Sequence, residues 1–240
     1  MKKTILKVSN LNKIYKNSNR GVQDINFEVL EGEIHAFIGE NGAGKTTIIK
    51  AIVDAYRNYQ GDILINGFKN TTPEAKKFLG YVPEKSLFPK ELKTKEYLLL
   101  LAQLSNLNKK QANQDIDKFL EALNIQDLAS SKPYDFSSGQ KRKIALIQAL
   151  IHNPELIILD EPLANLDPTS RFDFIKIIQD LRTQGKTIFL SSHNLSEIDQ
   201  IVDSVTLINK GKIYYTGAKK QNLNDLYYTQ VIDEQIDEKN

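Results

Sequence analysis

The segment Gly39-Glu-Asn-Gly-Ala-Gly-Lys-Thr46 sets three glycines, a lysine and a hydroxyl at the spacing G-x-x-x-x-G-K-[ST], which is a phosphate-binding arrangement. Its chemistry follows from the residue types. Glycines let the backbone curl so that successive N–H groups face one anion, Lys45 adds a point charge, and the Thr46 hydroxyl is a hard oxygen ligand for Mg²⁺. Gly39, Glu40, Asn41, Gly42, Ala43, Gly44, Lys45, Thr46 and the adjoining Thr47 are therefore the candidate cradle for the phosphates of a nucleotide. Further along, the apolar run Leu156-Ile-Ile-Leu159 ends in Asp160-Glu161. Asp160 would then join the Mg²⁺ shell and Glu161 would polarise an attacking water, since phosphoryl transfer asks for positioning and charge neutralisation more than covalent help. Taken alone, an acidic pair after a buried strand is also an ordinary strand end. His193 taken alone is equally an ordinary polar residue with satisfied hydrogen bonds.

Such groups need a rigid frame, and the apolar pattern supplies one of α/β type, with strand and helix signals alternating. Strands are expected over Ile5 to Val8, Ile25 to Val29 and Glu33 to Ile38, the last running into the glycine loop, with a helix from Thr46 to Val53 after it. Ile63-Leu64-Ile65 followed by Asn66-Gly67 is a hairpin signal, so the early strands predict an antiparallel sheet beside the main one. From about Lys85 to Phe136 the strand signals stop, and Ile116, Phe119, Leu120 and Leu123 recur at helical spacing, as in a helical subdomain. Beyond it the pattern predicts a helix over Ser138 to Ile151, a strand over Leu156 to Leu159 and a helix over Pro168 to Gln184, capped by Asp167 and closed by Gly185. A strand over Thr187 to Leu190, a helix over Leu195 to Val202 and a hairpin about Lys210-Gly211 follow. Residues 1–220 thus read as one domain with its helical subdomain over about 85–136, and residues 221–240 as a C-terminal helix and acidic tail.

Bulk properties exclude several classes. The 32 basic residues are scattered among 30 acidic ones for a net charge of +2, so no electrostatic footprint points to nucleic acid. With no cysteine there is no disulfide framework and no thiolate metal site, which fits a reducing compartment. The longest apolar stretches, such as Tyr97 to Ala102, fall well short of the roughly 20 residues that span a bilayer. The start MKKTILKVSN lacks the apolar run of a signal peptide. The expectation is a cytoplasmic chain whose membrane role, if any, comes through a partner. His35 falls inside a strand and His152 near a helix C-terminus, where partial positive charge is favourable.

Phe136-Ser-Ser-Gly-Gln140 stands about twenty residues before Asp160-Glu161 and resembles the LSGGQ signature of ATP-binding-cassette (ABC) ATPases. Tyr15 stands about where that family has an aromatic residue stacked on adenine; Gly80-Tyr-Val-Pro-Glu84 is similar to the segment ending in its Q-loop, Ala164-Asn-Leu-Asp167 to its D-loop, and Ser191-Ser-His193 to its switch histidine. The resemblance covers about residues 4 to 217. It implies a P-loop NTPase core with an antiparallel β subdomain and a helical subdomain carrying the signature, ATP and Mg²⁺ as cofactors, and ATP hydrolysis coupled to transport. It further implies a membrane-spanning permease subunit and a second ATPase subunit, identical or paralogous, as partners, with the chain peripheral on the inner face of the cell membrane. ATP would be buried between two head-to-tail cassettes, with Ser137, Ser138, Gly139 and Gln140 of one facing the γ-phosphate held by the other. Glu161, His193 and Lys45 would be catalytic, Tyr15 would bind adenine, and Thr46, Asp160 and Glu84 would serve the metal. The alternative within the resemblance is a non-transport ABC ATPase acting on ribosomes or nucleic acid. Two positions depart from the pattern: Glu84 replaces a glutamine and Ser138 the first glycine of the signature pair. Glu84 and the segment Asn222 to Tyr228 are similar to exporter-type cassettes.

Overall fold

The fold rests on strands that are apolar because they are buried on both faces. Strand β3 (Ile34–Ile38) is buried at all five positions, as are β7 (Leu156–Leu159), β8 (Thr187–Ser192) and β9 (Ser204–Asn209). Continuous apolar runs of this kind belong to parallel sheets covered by helices on each side. In the computed structural model, which describes residues 2–15, 21–56 and 58–233, these strands join β6 (Leu79–Val82) and β10 (Lys212–Ala218) in a six-stranded sheet of order β10-β9-β3-β8-β7-β6. All its pairings are parallel except the β9–β10 hairpin.

A second, four-stranded sheet has the order β2-β1-β4-β5, from β1 (Thr4–Ile14), β2 (Gly21–Leu30), β4 (Gln60–Ile65) and β5 (Phe68–Lys69). It is antiparallel throughout. The turn between β4 and β5 is the expected Asn66-Gly67, with both residues in the left-handed region at φ 50° and 83°, as a two-residue hairpin of matching twist requires. Phe27 of this sheet stacks on Phe37 and Phe189 of the other. One apolar cluster therefore joins the two sheets around helix α1 (Lys45–Ile52) and takes in Ala75 of the short helix α2 (Pro73–Lys77). Each fully buried isoleucine or phenylalanine there contributes about 1.5–3 kcal/mol.

Between Lys85 and Phe136 the described elements are helical: α3 (Thr94–Leu104), α4 (Lys109–Ala122) and two short 3₁₀ turns. Ile116 and Leu120 face the core and Phe119 is half-buried, in keeping with the 3.6-residue period. Helix α5 (Ser138–Leu150) then leads back to β7, and α6 (Pro168–Thr183) crosses from β7 to β8 with Asp167 accepting from the Ser170 N–H at 3.0 Å. The helix expected over Leu195 to Val202 is shorter, α7 (Leu195–Ile198). Asp199 is drawn instead into binding Lys219 and the Leu223 N–H, which caps α8 (Leu223–Tyr227). Most of the acidic tail, residues 234–240, lies outside the described residues. Among the described residues no helix is long and apolar enough to cross a membrane.

Candidate nucleotide site

The glycine loop joins the end of β3 to the start of α1 and is wedged against the β9–β10 hairpin. A Cβ at Gly39 would lie 2.3 Å from the Ile208 carbonyl oxygen, so only glycine permits that approach. The Gly211 N–H donates to the Ala43 carbonyl at 2.9 Å and fixes the loop from the other side. Lys45, only 5% exposed, donates to the carbonyls of Gly39 at 2.6 Å and Glu40 at 3.3 Å. Its ammonium is also 3.2 Å from Glu161 Oε1. Thr46 lies exposed in the first turn of α1, where unpaired N–H groups and the helix dipole favour an anion.

Asp160 and Glu161 follow β7 directly. Asp160 is buried, and Ser191 on β8 donates to its Oδ1 at 2.7 Å while accepting from the Glu161 N–H at 2.8 Å. Burial pushes the Asp160 carboxyl above the usual carboxylate range, and the charges of Glu161 and Glu84 push the same way, against the Ser191 hydrogen bond and Lys45. The Tyr81 phenol beside them is pushed up to about 12, by burial first and then by Asp160 and Glu84. A cation brought beside Asp160 would offset both its burial and the neighbouring carboxylates. Glu161 sits in the left-handed region at φ 46°, a sparsely populated conformation for this residue type that clusters at functional sites. Its Oε2 is 2.9 Å from His193 Nδ1.

These residues open on one cavity of about 300 Å³, lined by Glu40, Asn41, Gly42, Gly44, Lys45, Thr46, Thr47, Glu84, Glu161, Ala164, Asn165 and His193. Gly39, Ala43 and the buried Asp160 are not part of its wall. Tyr15 stands just beyond it, with its hydroxyl 3.1 Å from Thr47 Oγ1. Ser137, Ser138, Gly139 and Gln140 do not line it; they form the start of α5, where Ser137 Oγ accepts from the Gln140 N–H and the Gln140 side chain accepts from the Ser137 N–H.

Residues 22–164, more than half of the chain, match the family described as ABC transporter. The chain belongs to that family. It is 43% identical over 86% of its length to a Mycoplasma pneumoniae protein described as an ABC transporter ATP-binding protein, and it spans 64% of the length of that relative. It is 34% identical to the Haemophilus influenzae lipopolysaccharide export system ATP-binding protein LptB, over 92% of this chain and 94% of LptB. A solved ATP-binding subunit of an ABC transporter superposes with a TM-score of 0.82 at 30% identity, covering 98% of this chain and 99% of that one. The P-loop NTPase architecture and the role of ATP-hydrolysing motor subunit follow from these matches.

Two residues of this ABC subunit escape the sequence reading of the site. Ser191 is one, joining Asp160 to Glu161; its only sequence signal is its place at the end of a strand, two residues before His193. Arg142 is the other. It is 6% exposed and donates to three carbonyls, Pro83 at 2.7 Å, Glu84 at 3.1 Å and Glu161 at 3.3 Å. One guanidinium from α5 thereby ties the Glu84 loop to the Glu161 turn. A charged residue on the same helix face as Ala145, Leu146 and Ala149, all buried, was the signal for it. His152 is corrected: it is half-buried with Nε2 3.0 Å from the Leu79 carbonyl. Burial lowers its pKa against the hydrogen bond that raises it, so the neutral ring is favoured there rather than a positive charge.

Proposed function

We propose that this ABC subunit works as one of a head-to-tail pair of cassettes seated on a membrane-spanning permease, at the inner face of the membrane, and that two ATP molecules are closed between the pair. The observation that carries this reading is a division of labour. One cavity gathers Lys45, Thr46, Glu84, Glu161 and His193, while Ser137 to Gln140 lie apart from it at a helix N-terminus. An anion-favouring turn outside the phosphate cavity suits the phosphate of a second copy. A pair related by a two-fold axis then has two equivalent sites.

The residues at the cavity fit Mg²⁺ through hard oxygen donors: the Thr46 hydroxyl and the Asp160 carboxylate, whose burial and acidic neighbours leave it short of a cation. Among the described residues no three acidic or histidine side chains form a cage able to hold a metal alone. Glu84 would serve the same ion, which the chain would share with the nucleotide. Bound there, Mg²⁺ neutralises charge on the phosphates. Lys45 pairs with the phosphates and gives up Glu161 in doing so. Glu161, oriented by His193 and by the Ser191 contact to its backbone, accepts the proton of the attacking water. His193 contacts the γ-phosphate side, and Tyr15, held by Thr47, offers its ring to adenine. The direction we assign is export, on the resemblance of Glu84 and the C-terminal helix to exporter-type cassettes and on the likeness to LptB.

Replacing Glu161 tests this reading. Glu161→Gln keeps size and hydrogen bonding but removes the proton acceptor, so ATP turnover falls by about 10²–10⁴-fold while ATP-dependent dimers accumulate on gel filtration. Turnover at the wild-type rate moves the base elsewhere; a chain that stays monomeric at every ATP concentration rejects the paired arrangement.

A further inference from the structure

Ser138 occupies the place of a signature glycine, and the geometry gives its side chain a job other than touching nucleotide. Its Oγ donates to the Asn165 carbonyl at 3.0 Å. The next residue, Gly139, is pressed against the same neighbourhood, since a Cβ there would lie 2.8 Å from Ser170 Oγ. The first turn of α5 is thus set against residues 165–170, the stretch that leads into α6.

Asn165 is a sensitive place to be held. It adopts the left-handed conformation at φ 60° and lines the phosphate cavity together with Glu161 and His193. Three residues separate it from Glu161 in sequence, and the intervening loop is fixed near its start, where the Glu161 N–H donates to Ser191 and the Ala164 N–H donates to the Glu161 carbonyl at 3.2 Å. At its far end Asp167 caps α6 and accepts from Ser170 Oγ at 2.5 Å. Asn165 lies between these anchors. The Ser138 hydroxyl reaches the middle of the loop, and a glycine at 138 has no group with which to do so.

We propose that Ser138 is a positioning residue: through Asn165 it couples the signature turn to the Glu161 loop of its own chain, so that a displacement of α5 is felt at the cavity. With its one hydroxyl proton committed to the Asn165 carbonyl, the Ser138 side chain donates nothing to a phosphate. The kinetic part of the proposal rests on the proposed ATPase cycle; the bond itself does not.

The test uses the full chain and the variants Ser138→Ala and Ser138→Thr. Hydrogen exchange without nucleotide reads the tether directly: amides of residues 164–167 exchange about fivefold faster in Ser138→Ala, in line with the loss of one hydrogen bond, and at the wild-type rate in Ser138→Thr, which restores the hydroxyl. ATP turnover follows the same order, with kcat about fivefold lower in Ser138→Ala, KM for ATP unchanged, and both recovered in Ser138→Thr. Unchanged exchange at 164–167 in Ser138→Ala overturns the proposal, as does a raised KM with unchanged kcat, which makes Ser138 a nucleotide ligand. Since exchange is measured without ATP, a failed tether and a failed ATPase reading give different results.

Discussion

The phosphate cavity and the signature turn are built in opposite ways. The cavity is made from the ends of β3, β7 and β8, three neighbours in one buried parallel sheet, so strand register fixes Lys45, Asp160, Glu161 and His193 relative to one another before any ligand arrives. Ligands of such sheets collect outside the carboxyl ends of the strands, and this cavity follows the rule. The signature turn belongs to the helical part of the chain and is held by caps and single hydrogen bonds: Ser137 with Gln140, Ser138 with Asn165. A cavity fixed by a sheet is formed within one chain. A turn fixed by a few exposed bonds is suited to moving and to meeting a partner, because such contacts cost little to rearrange.

Acid should break the first region through its floor, and this is the largest of the effects on folding. His35 in β3 is 1% exposed, stacks on Phe189 with an interplanar angle of 4°, and places its ring nitrogens 2.8 Å from Ser204 Oγ and 2.9 Å from Thr206 Oγ1. Burial lowers its pKa from 6.5 to about 3. The unfolded chain therefore takes up a proton, as pH falls below 6.5, that the folded chain refuses until about pH 3. The contribution is complete above pH 6.5 and is lost as pH falls between those values; at about 1.4 kcal/mol per unit this amounts to several kcal/mol. Urea midpoints measured from pH 7 to pH 4 should fall steeply in the wild type. They should fall less in His35→Leu, which starts from lower stability because Ser204 and Thr206 lose their partner. An equal slope in both proteins would place the acid sensitivity elsewhere.

The signature turn should break differently, in association rather than folding. Ser137→Ala removes the N-cap of α5, a loss of about 1 kcal/mol, and with it a hydroxyl facing outward from the chain. ATP affinity of the single chain should be unchanged, since Ser137 is not in the cavity, while the ATP concentration needed for dimers rises about tenfold or more. Equilibrium binding of a fluorescent ATP analogue, set beside sedimentation of Glu161→Gln with and without Ser137→Ala, separates the two. Weaker binding to the single chain with unaltered dimerisation would erase the contrast between the regions.

The same contrast governs what could be read from the sequence. The strands of the parallel sheet were legible because residues buried on both faces write themselves as apolar runs, and the loop Gly39 to Thr46 because phosphate binding demands glycine at fixed spacing. Arg142 was marked only by its place on a buried helix face, and its partners were hidden: they are the carbonyls of Pro83, Glu84 and Glu161, and a backbone oxygen has no sequence signature. Ser191 was hidden for a related reason, since a serine ending a strand is ordinary until β7 is known to lie beside β8. The helix after His193 was read too long because Leu195 to Val202 keeps an apolar period, yet Asp199 is more strongly engaged by Lys219 and the start of α8. Local pattern lost there to contacts with residues twenty and more positions away.

The smallest effect is the one that best separates function from folding beneath the cavity, at Asp160. Asp160 is 2% exposed, and burial together with Glu161 and Glu84 raises its pKa. For an acid raised in this way the folded chain holds its proton more tightly than the unfolded chain does. Ionisation above the folded pKa therefore lowers stability, and the penalty disappears as pH falls below the unfolded value. Asp160→Asn removes the charge while keeping an oxygen to accept from Ser191, so the bond that also positions the Glu161 N–H survives. At pH 8 without Mg²⁺ the variant should melt higher than the wild type, by roughly 2–4 °C if the gain is about 1 kcal/mol. The gain should shrink at pH 4, and Mg-ATP should raise the melting point of the variant less than that of the wild type. The variant should also lose Mg²⁺-dependent turnover, since an amide oxygen carries no charge to offer the ion. Thermal melts of both proteins at the two pH values, with and without Mg-ATP, make the comparison. A variant that melts lower at pH 8 would mean that the Asp160 charge is stabilised in the folded chain, and that the carboxylates of the cavity do not strain one another.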